Sequence, residues 1–329
     1  MKQLIDPYNR KIDYVRLSVT DKCNFQCFYC RPSLFKQEFV PDHSYLTVAD
    51  IEKLFIVLGR LGIRKVKLTG GEPLLRKDIV DIVRVLRDNS YIQDISLITN
   101  GFFLEKKAFD LKEAGLHRVN VSLDSLNEKS FQKITQTLSL ERVKKGIVKA
   151  YDVGLEPIKI NAVLVKGMND EELFDFVRFS IHYPFIVRFI EFMPTGFTQA
   201  EHQVYYFSNH EALLRIKEKF SLTPKIQKEQ TGPSSYFKVD GGKGEIGFIS
   251  PLSHNFCDKC NRIRITAKGD LKLCLFSQED RNLLSILRSS HWEKKLEETL
   301  IENLRLKPKH HDLGKGQIGN VQSFVNIGG

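Results

Sequence analysis

The chain has 329 residues, 42% hydrophobic and 27% charged, a balance that excludes a wholly disordered or collagen-like polypeptide. Its formal charge of +10 is spread singly among acidic residues, without a compact basic run, so charge alone does not favour a generic nucleic-acid binder. The opening "MKQLIDPYNRK" has no apolar signal-peptide core, and no window reaches the roughly 18 apolar residues of a spanning helix, which predicts a cytoplasmic protein without a membrane segment.

From residue 14 to about 192, short β-like runs alternate with amphipathic stretches, the pattern of a parallel sheet built from βα units. The strand candidates are "YVRLSVT", "RKVKLT", "QDISLIT", "HRVNVSLD", "PIKINAVLV" and "FIVRFIEF". Helical stretches such as "TVADIEKLFIVLGRLG", "RKDIVDIVRVLRDN", "EKKAFDLKEAG" and "NDEELFDFVRFSIH" lie between them. Gly62, Gly115 and Gly154 follow apolar periodic runs, as left-handed helix stops do. From about residue 205 a helix, shorter strands and glycine-bearing turns lead to two closing helices and a polar tail.

The strands alternate where buried parallel strands usually read as continuous apolar runs. In "YVRLSVT" Val15, Leu17 and Val19 share one face while Arg16, Ser18 and Thr20 share the other. Lys67 and Thr69 oppose Val66 and Leu68; Asn120, Ser122 and Asp124 oppose Val119, Val121 and Leu123; Lys159 and Asn161 oppose Ile158, Ile160 and Ala162. Later, Arg262 and Arg264 alternate with Ile263 and Ile265. If the apolar set faces the helices, the polar set faces a cationic lumen. A closed eight-stranded barrel fills its interior with branched side chains, so the pattern predicts an open, incomplete barrel whose inside is the binding site.

The six cysteines fall into two triplets: Cys23, Cys27 and Cys30, then Cys257, Cys260 and Cys274. Close C-x-x-C spacing in a cytosolic chain points to metal or redox chemistry rather than disulfides. Zinc would need a fourth ligand, for which His43 and His254 are the nearest candidates. A 4Fe–4S cluster held by three thiolates would keep one iron open. The first triplet follows the first strand, at the catalytic mouth of a parallel barrel.

"CNFQCFYC" after the first strand and "LTGGEPLLR" after the second resemble the radical S-adenosylmethionine (SAM) superfamily. "FCDKCNRIRITAKGDLKLCLF" narrows the likeness to the GTP 3′,8-cyclase family of molybdenum cofactor biosynthesis, and it continues through "VNVSLDSL", "IKINAVLVKGMND", "RFIEFMPTG" and the terminal "IGG". The resemblance implies an α/β fold, an incomplete (β/α)6 TIM-type barrel over residues 1–205, with a C-terminal extension, 206–329, covering the open side. It implies two 4Fe–4S clusters: one on Cys23, Cys27 and Cys30, which act in catalysis with Arg16, and one on Cys257, Cys260 and Cys274 that binds the purine.

The same resemblance implies SAM contacts at Tyr29, Gly71, Ser122 and Met193, and GTP contacts at Arg16, Lys67, Lys159, Arg262, Ile263 and Arg264, with Arg188 as an addition. The implied activity is that of a lyase converting GTP to (8S)-3′,8-cyclo-7,8-dihydroguanosine 5′-triphosphate. An electron donor would serve it, cyclic pyranopterin monophosphate synthase would take the product, and a homodimer is compatible; neither nucleic acid nor membrane is implied. Departures from the family pattern are Lys67, often Arg, Ile98, where a relative would have Thr, and Arg31, frequently Met. The alternatives are a radical SAM enzyme acting on a peptide or tRNA, and a non-catalytic zinc module for nucleic acid.

Three stretches carry weaker signals. "GKGQIG" (314–319) matches a dinucleotide fingerprint but lacks the preceding strand and following helix. "GGKGEIG" (241–247) reads as a hairpin turn, and "KPKHHDL" (307–313) as a solvated loop. A Gly-Gly terminus by itself reads as frayed, although the family resemblance implies that it inserts toward the site. Trp292 is expected to pack in a helix beside Leu296.

Overall fold

The computed structural model describes residues 3–31, 44–226, 232–277, 280–311, 313 and 321–328. All six predicted strands form, as Tyr14–Ser18 (β1), Lys65–Thr69 (β2), Asp94–Thr99 (β3), Arg118–Ser122 (β4), Lys159–Leu164 (β5) and Ile186–Glu191 (β6). Between them run helices Val48–Arg60 (α1), Ile79–Asp88 (α2), Leu104–Glu113 (α3), Glu128–Thr135 (α4), Leu140–Asp152 (α5) and Leu173–His182 (α6). Capping explains several boundaries. Thr47 and Asp50 form a reciprocal capping box at α1, and the Asn127 side chain accepts from Lys129 and Ser130 at the start of α4. Gly62, Gly115 and Gly154 have φ of 97°, 105° and 76°, the left-handed stop expected after α1, α3 and α5.

Helix Gln199–Tyr205 (α7) follows β6, and the C-terminal region contributes helices Asn209–Lys217 (α8), Leu284–Leu287 (α9) and Trp292–Leu304 (α10). Its strands are Leu222–Lys225 (β7), Ser234–Val239 (β8), Glu245–Ile249 (β9), Arg262–Ile265 (β10), Asp270–Lys272 (β11) and Arg281–Asn282 (β12). They do not sit apart from the barrel. One sheet runs β12-β11-β10-β1-β2-β3-β4-β5-β6-β9-β8-β7 without closing. β10 joins β1 in parallel and β9 joins β6 in parallel, so the C-terminal region extends the incomplete barrel at both edges. The expected hairpin at 241–247 forms between antiparallel β8 and β9.

The alternation of strand residues sorts as expected. Val15, Leu17, Val66, Leu68, Val119, Val121, Ile160 and Ala162 are fully buried beneath the helices, with Ile51, Leu54, Ile82, Val83 and Leu111 packed against them in one continuous core. Trp292 packs at the edge of this core as foreseen, with Lys53 Nζ 5.5 Å from its ring centroid. The other strand face is left for the lumen. No helix of the described residues is long and apolar enough to cross a membrane.

Candidate functional site

The first cysteine triplet lies in the loop after β1, beside the "GGEP" turn that follows β2. Gly71 N–H donates to Thr20 O at 2.8 Å and Glu72 N–H to Lys22 O at 2.7 Å, binding the two loops together. Glycine is required for this approach: a Cβ at Gly71 would stand 2.3 Å from Lys22 O, and one at Gly70 2.4 Å from Thr20 O. The buried Glu72 carboxylate then reaches across to β3, accepting from Thr99 Oγ1 at 2.8 Å and Asn100 N at 2.7 Å. Asn100 in turn donates to Asn24 Oδ1 at 2.9 Å, inside the cysteine loop. Burial pushes Glu72 up to about 7, although its three donors pull the other way.

The three thiols resist ionising together. Burial, then Glu72, pushes Cys23 up to about 11; burial, then Asp124 and Cys30, holds Cys27 well above its usual value; burial, then Cys23, pushes Cys30 to about 12. Such thiols become thiolates only against a strongly cationic centre, which is what an iron–sulfur cluster supplies. Among the described residues no three or more His, Cys, Asp or Glu side chains form a group suited to a single metal ion. A cluster asks each thiolate for a different iron. His43 lies outside the described residues, and His254 is exposed.

Around this loop stand the expected SAM contacts. Tyr29 donates its phenol to Asp124 Oδ2 at 2.6 Å, and Asp124 also accepts from Val163 N at 2.8 Å, so this carboxylate positions Tyr29. Burial raises Asp124 to about 6 against the pull of both donors. Ser122 ends β4, on the strand face shared with Asn120 and Asp124. Met193 follows β6 and packs with Cys30 against Phe276, Leu313, Val321, Phe324 and Ile327. Cys274 touches the same apolar group, so one cysteine of each triplet packs on the tail residues.

Deeper in the lumen, register places cations side by side. Lys272, Arg264, Arg16 and Lys67 occupy one lateral row across β11, β10, β1 and β2. Lys272 is paired with Asp280 at 2.6 Å. Burial lowers Arg16 to about 10 and holds Arg264 and Lys67 well below their usual values, with neighbouring arginines adding to the effect. On the far side, Arg188 donates to Asn161 Oδ1 at 2.9 and 2.5 Å. Asn120, in the amide orientation its neighbours demand, accepts from Arg188 and Lys67 at 2.9 Å each. Neutral amides thus hold these cations apart without cancelling their charge. Arg262 lies over Phe256, 5.4 Å from the ring centroid.

Ile263 differs from its neighbours in the expected set by the direction of its side chain. Its side chain is 2% exposed and sits in the main core beneath the helices, because alternation turns it away from Arg262 and Arg264. Only its backbone borders the lumen.

The tail is not frayed over the residues described. Gly196 N donates to Val321 O at 2.8 Å, Ser323 Oγ to Cys30 O at 2.5 Å, and Arg264 to Gly328 O at 2.8 Å. Gly328 has φ 68° and lies so close to β2 that a Cβ would stand 2.4 Å from Thr69 Cγ2. "GKGQIG" falls outside the described residues.

Three features escaped sequence reasoning. Tyr236 on β8 lies over Gly247, where a Cβ would meet its ring at 2.8 Å, and Lys159 Nζ stands 5.7 Å from its centroid. The charges of Arg188 and Lys159 lower the pKa of its phenol despite burial. Glu191, fully buried at the end of β6, accepts from Asn209 N, Leu252 N and Ser253, tying β6 to α8 and to the loop before the second triplet. Lys307 is 3% exposed rather than solvated, donating to Arg262 O at 2.8 Å and to Leu273 O. Only Glu191 left a trace, as an acid in the apolar "RFIEF"; the others depend on contacts between distant segments.

Comparison with known proteins follows the same division. The Radical SAM superfamily model matches residues 17–180, and the Molybdenum Cofactor Synthesis C model matches 185–313. A GTP 3′,8-cyclase of Thermodesulfovibrio yellowstonii is 43% identical over 304 residues, covering 92% of this chain and 94% of the relative. One of Petrotoga mobilis is 43% identical over 329 residues, covering 99% of this chain and 100% of the relative. Among solved structures, Streptococcus suis SuiB bound to S-adenosylmethionine gives a TM-score of 0.62 at 16% identity, over 91% of this chain and 69% of that chain, a likeness of fold.

Proposed function

We infer the chemistry of this site from one premise: the chain belongs to the GTP 3′,8-cyclase family of radical SAM enzymes. It cyclises GTP, as a lyase, in the first step of molybdenum cofactor biosynthesis. Residues 1–205 form the part that cleaves SAM, with Cys23, Cys27 and Cys30 as ligands of one 4Fe–4S cluster. Residues 206–329 bring Cys257, Cys260 and Cys274, which would hold a second such cluster and leave it a coordination position for the purine. The enzyme works in the cytoplasm, draws on an electron donor, and passes its product to cyclic pyranopterin monophosphate synthase.

When bound, the first cluster and SAM together supply the hydrogen-abstracting radical that opens the reaction. The chain's residues do the rest. Tyr29, fixed by Asp124, and Gly71, Ser122 and Met193 seat SAM beside the first triplet. Arg16, Lys67, Lys159, Arg188, Arg262 and Arg264 grip the triphosphate; their mutual repulsion is relieved when a polyanion enters. Holding both ends of the nucleotide keeps the ribose and the guanine within attack distance of each other. The apolar tail residues Val321, Phe324 and Ile327 keep water out of the space between the triplets.

The observation that carries this reading is the lateral row of cations on the lumenal strand face, together with an apolar group that touches one cysteine of each triplet. Anaerobic incubation of reconstituted protein with SAM, dithionite and GTP tests it. The expected outcome is 5′-deoxyadenosine together with loss of GTP, and a Cys274→Ala variant that still cleaves SAM but forms no cyclised product. Deoxyadenosine without GTP consumption in the unaltered protein would remove the substrate assignment.

A further inference from the structure

The segment 307–311 addresses all three cysteines of the second triplet. Lys307 Nζ donates to Arg262 O, two residues after Cys260, and to Leu273 O, immediately before Cys274. Its charge acts on both Cys260 and Cys274. The His311 backbone N–H lies near enough to Cys257 to counter the rise that burial imposes on its thiol. The segment is itself clasped from the far end of the chain: Arg10 donates to Pro308 O at 2.7 Å, to Lys309 O at 2.8 Å and to Cys257 O at 2.8 Å. Arg10 is held in turn by Asp6 at 2.5 Å, whose side chain is fully buried. Lys307 is buried and donates to two backbone carbonyls next to the triplet, so it is poorly placed to serve as a substrate cation.

We propose that residues 307–311 form a strap that positions the second cluster and sets its reduction potential, with Lys307 as the positioning residue that supplies the charge. The proposal rests on the two-cluster reading above. Cluster potentials respond to nearby charge and to hydrogen bonds to the sulfurs. A buried ammonium stabilises the more negative, reduced cluster, so its removal lowers the potential.

The test uses the full chain, reconstituted anaerobically, with Cys23, Cys27 and Cys30 replaced by Ser so that only the second cluster reports. Iron per chain and an EPR-monitored redox titration are measured for Lys307→Met and Lys307→Arg. Expected are a lower potential in Lys307→Met, most of it restored in Lys307→Arg, and an unmoved first cluster when Lys307→Met is placed in a Cys274→Ser background. Full iron loading with unchanged potential in Lys307→Met overturns the proposal. Should Lys307→Met fail to load, restored loading in Lys307→Arg upholds it, and failure of both overturns it, because shape rather than charge is then what matters. Unaltered protein holding no more iron than its Cys274→Ser variant sinks the two-cluster reading, and the proposal with it; the iron assay reveals this before any potential is read.

Discussion

The two cysteine triplets are held in different ways. The first occupies a single loop after β1, and its main supports, the "GGEP" turn and Asn100, follow the next two strands of the same parallel series. The second draws Cys257 and Cys260 from the approach to β10 and Cys274 from beyond β11, and is closed by Arg10 and by residues 307–311. The first triplet has one distant prop, the bond from Ser323 Oγ to Cys30 O, beside its local supports. Support from both chain ends makes the second triplet depend on the integrity of the whole molecule.

The largest expected effect is on the second triplet. Arg10→Ala leaves Asp6 buried without its cation and releases three carbonyls at once, which destabilises the fold by about 3 kcal/mol and loosens the second triplet while the first keeps its iron. Denaturant midpoints and iron per chain check this, and an unaltered midpoint would contradict the clasp. Next comes Gly71→Ala, which presses a Cβ onto the Lys22 carbonyl and separates the two loops under the first triplet. A loss of about 2 kcal/mol, with weakened SAM binding and intact second-site iron, is expected in melting and binding assays; wild-type SAM affinity would show that the close approach is dispensable.

The smallest effect concerns the lumen between the triplets. Burial, then Arg188 and Arg16, holds Lys67 well below its usual pKa. In the range between that lowered value and the ordinary one, the unfolded chain binds more protons at this site than the folded chain does, so its contribution to stability rises with pH. Without nucleotide, Lys67→Met is therefore expected to be more stable than the unaltered protein at neutral pH, by about 1 kcal/mol. The gap should close toward the alkaline end. Thermal melts across pH would detect it, and a gap that widened as pH rose would reverse the assignment of Lys67 as a destabilised charge.

Much of the site was legible because a barrel strand has period two. Once Val15 and Leu17 were placed against the helices, Arg16 had to face inward, and the same step located Lys67, Lys159, Arg262 and Arg264. The same alternation turns the Ile263 side chain into the core, so any contact this residue makes in the lumen would come from its backbone. The "KPKHHDL" stretch, by contrast, misled. A lysine among polar residues usually lies in water, and nothing local announces that two carbonyls and a cysteine pair await its ammonium.

The amino-acid order alone determined which residues form strands, which face of each strand is charged, and that the chain carries two thiol triplets at ligand spacing, because these follow from short-range periodicity. Only the folded chain decided that β9 and β10 join opposite edges of the barrel, that Tyr236 lies over Gly247 beside Lys159, and that Arg10 and residues 307–311 close on the second triplet. Those arrangements rest on hydrogen bonds and burial between segments as much as 299 positions apart, such as Arg10 with Lys309, a separation over which no sequence pattern carries information.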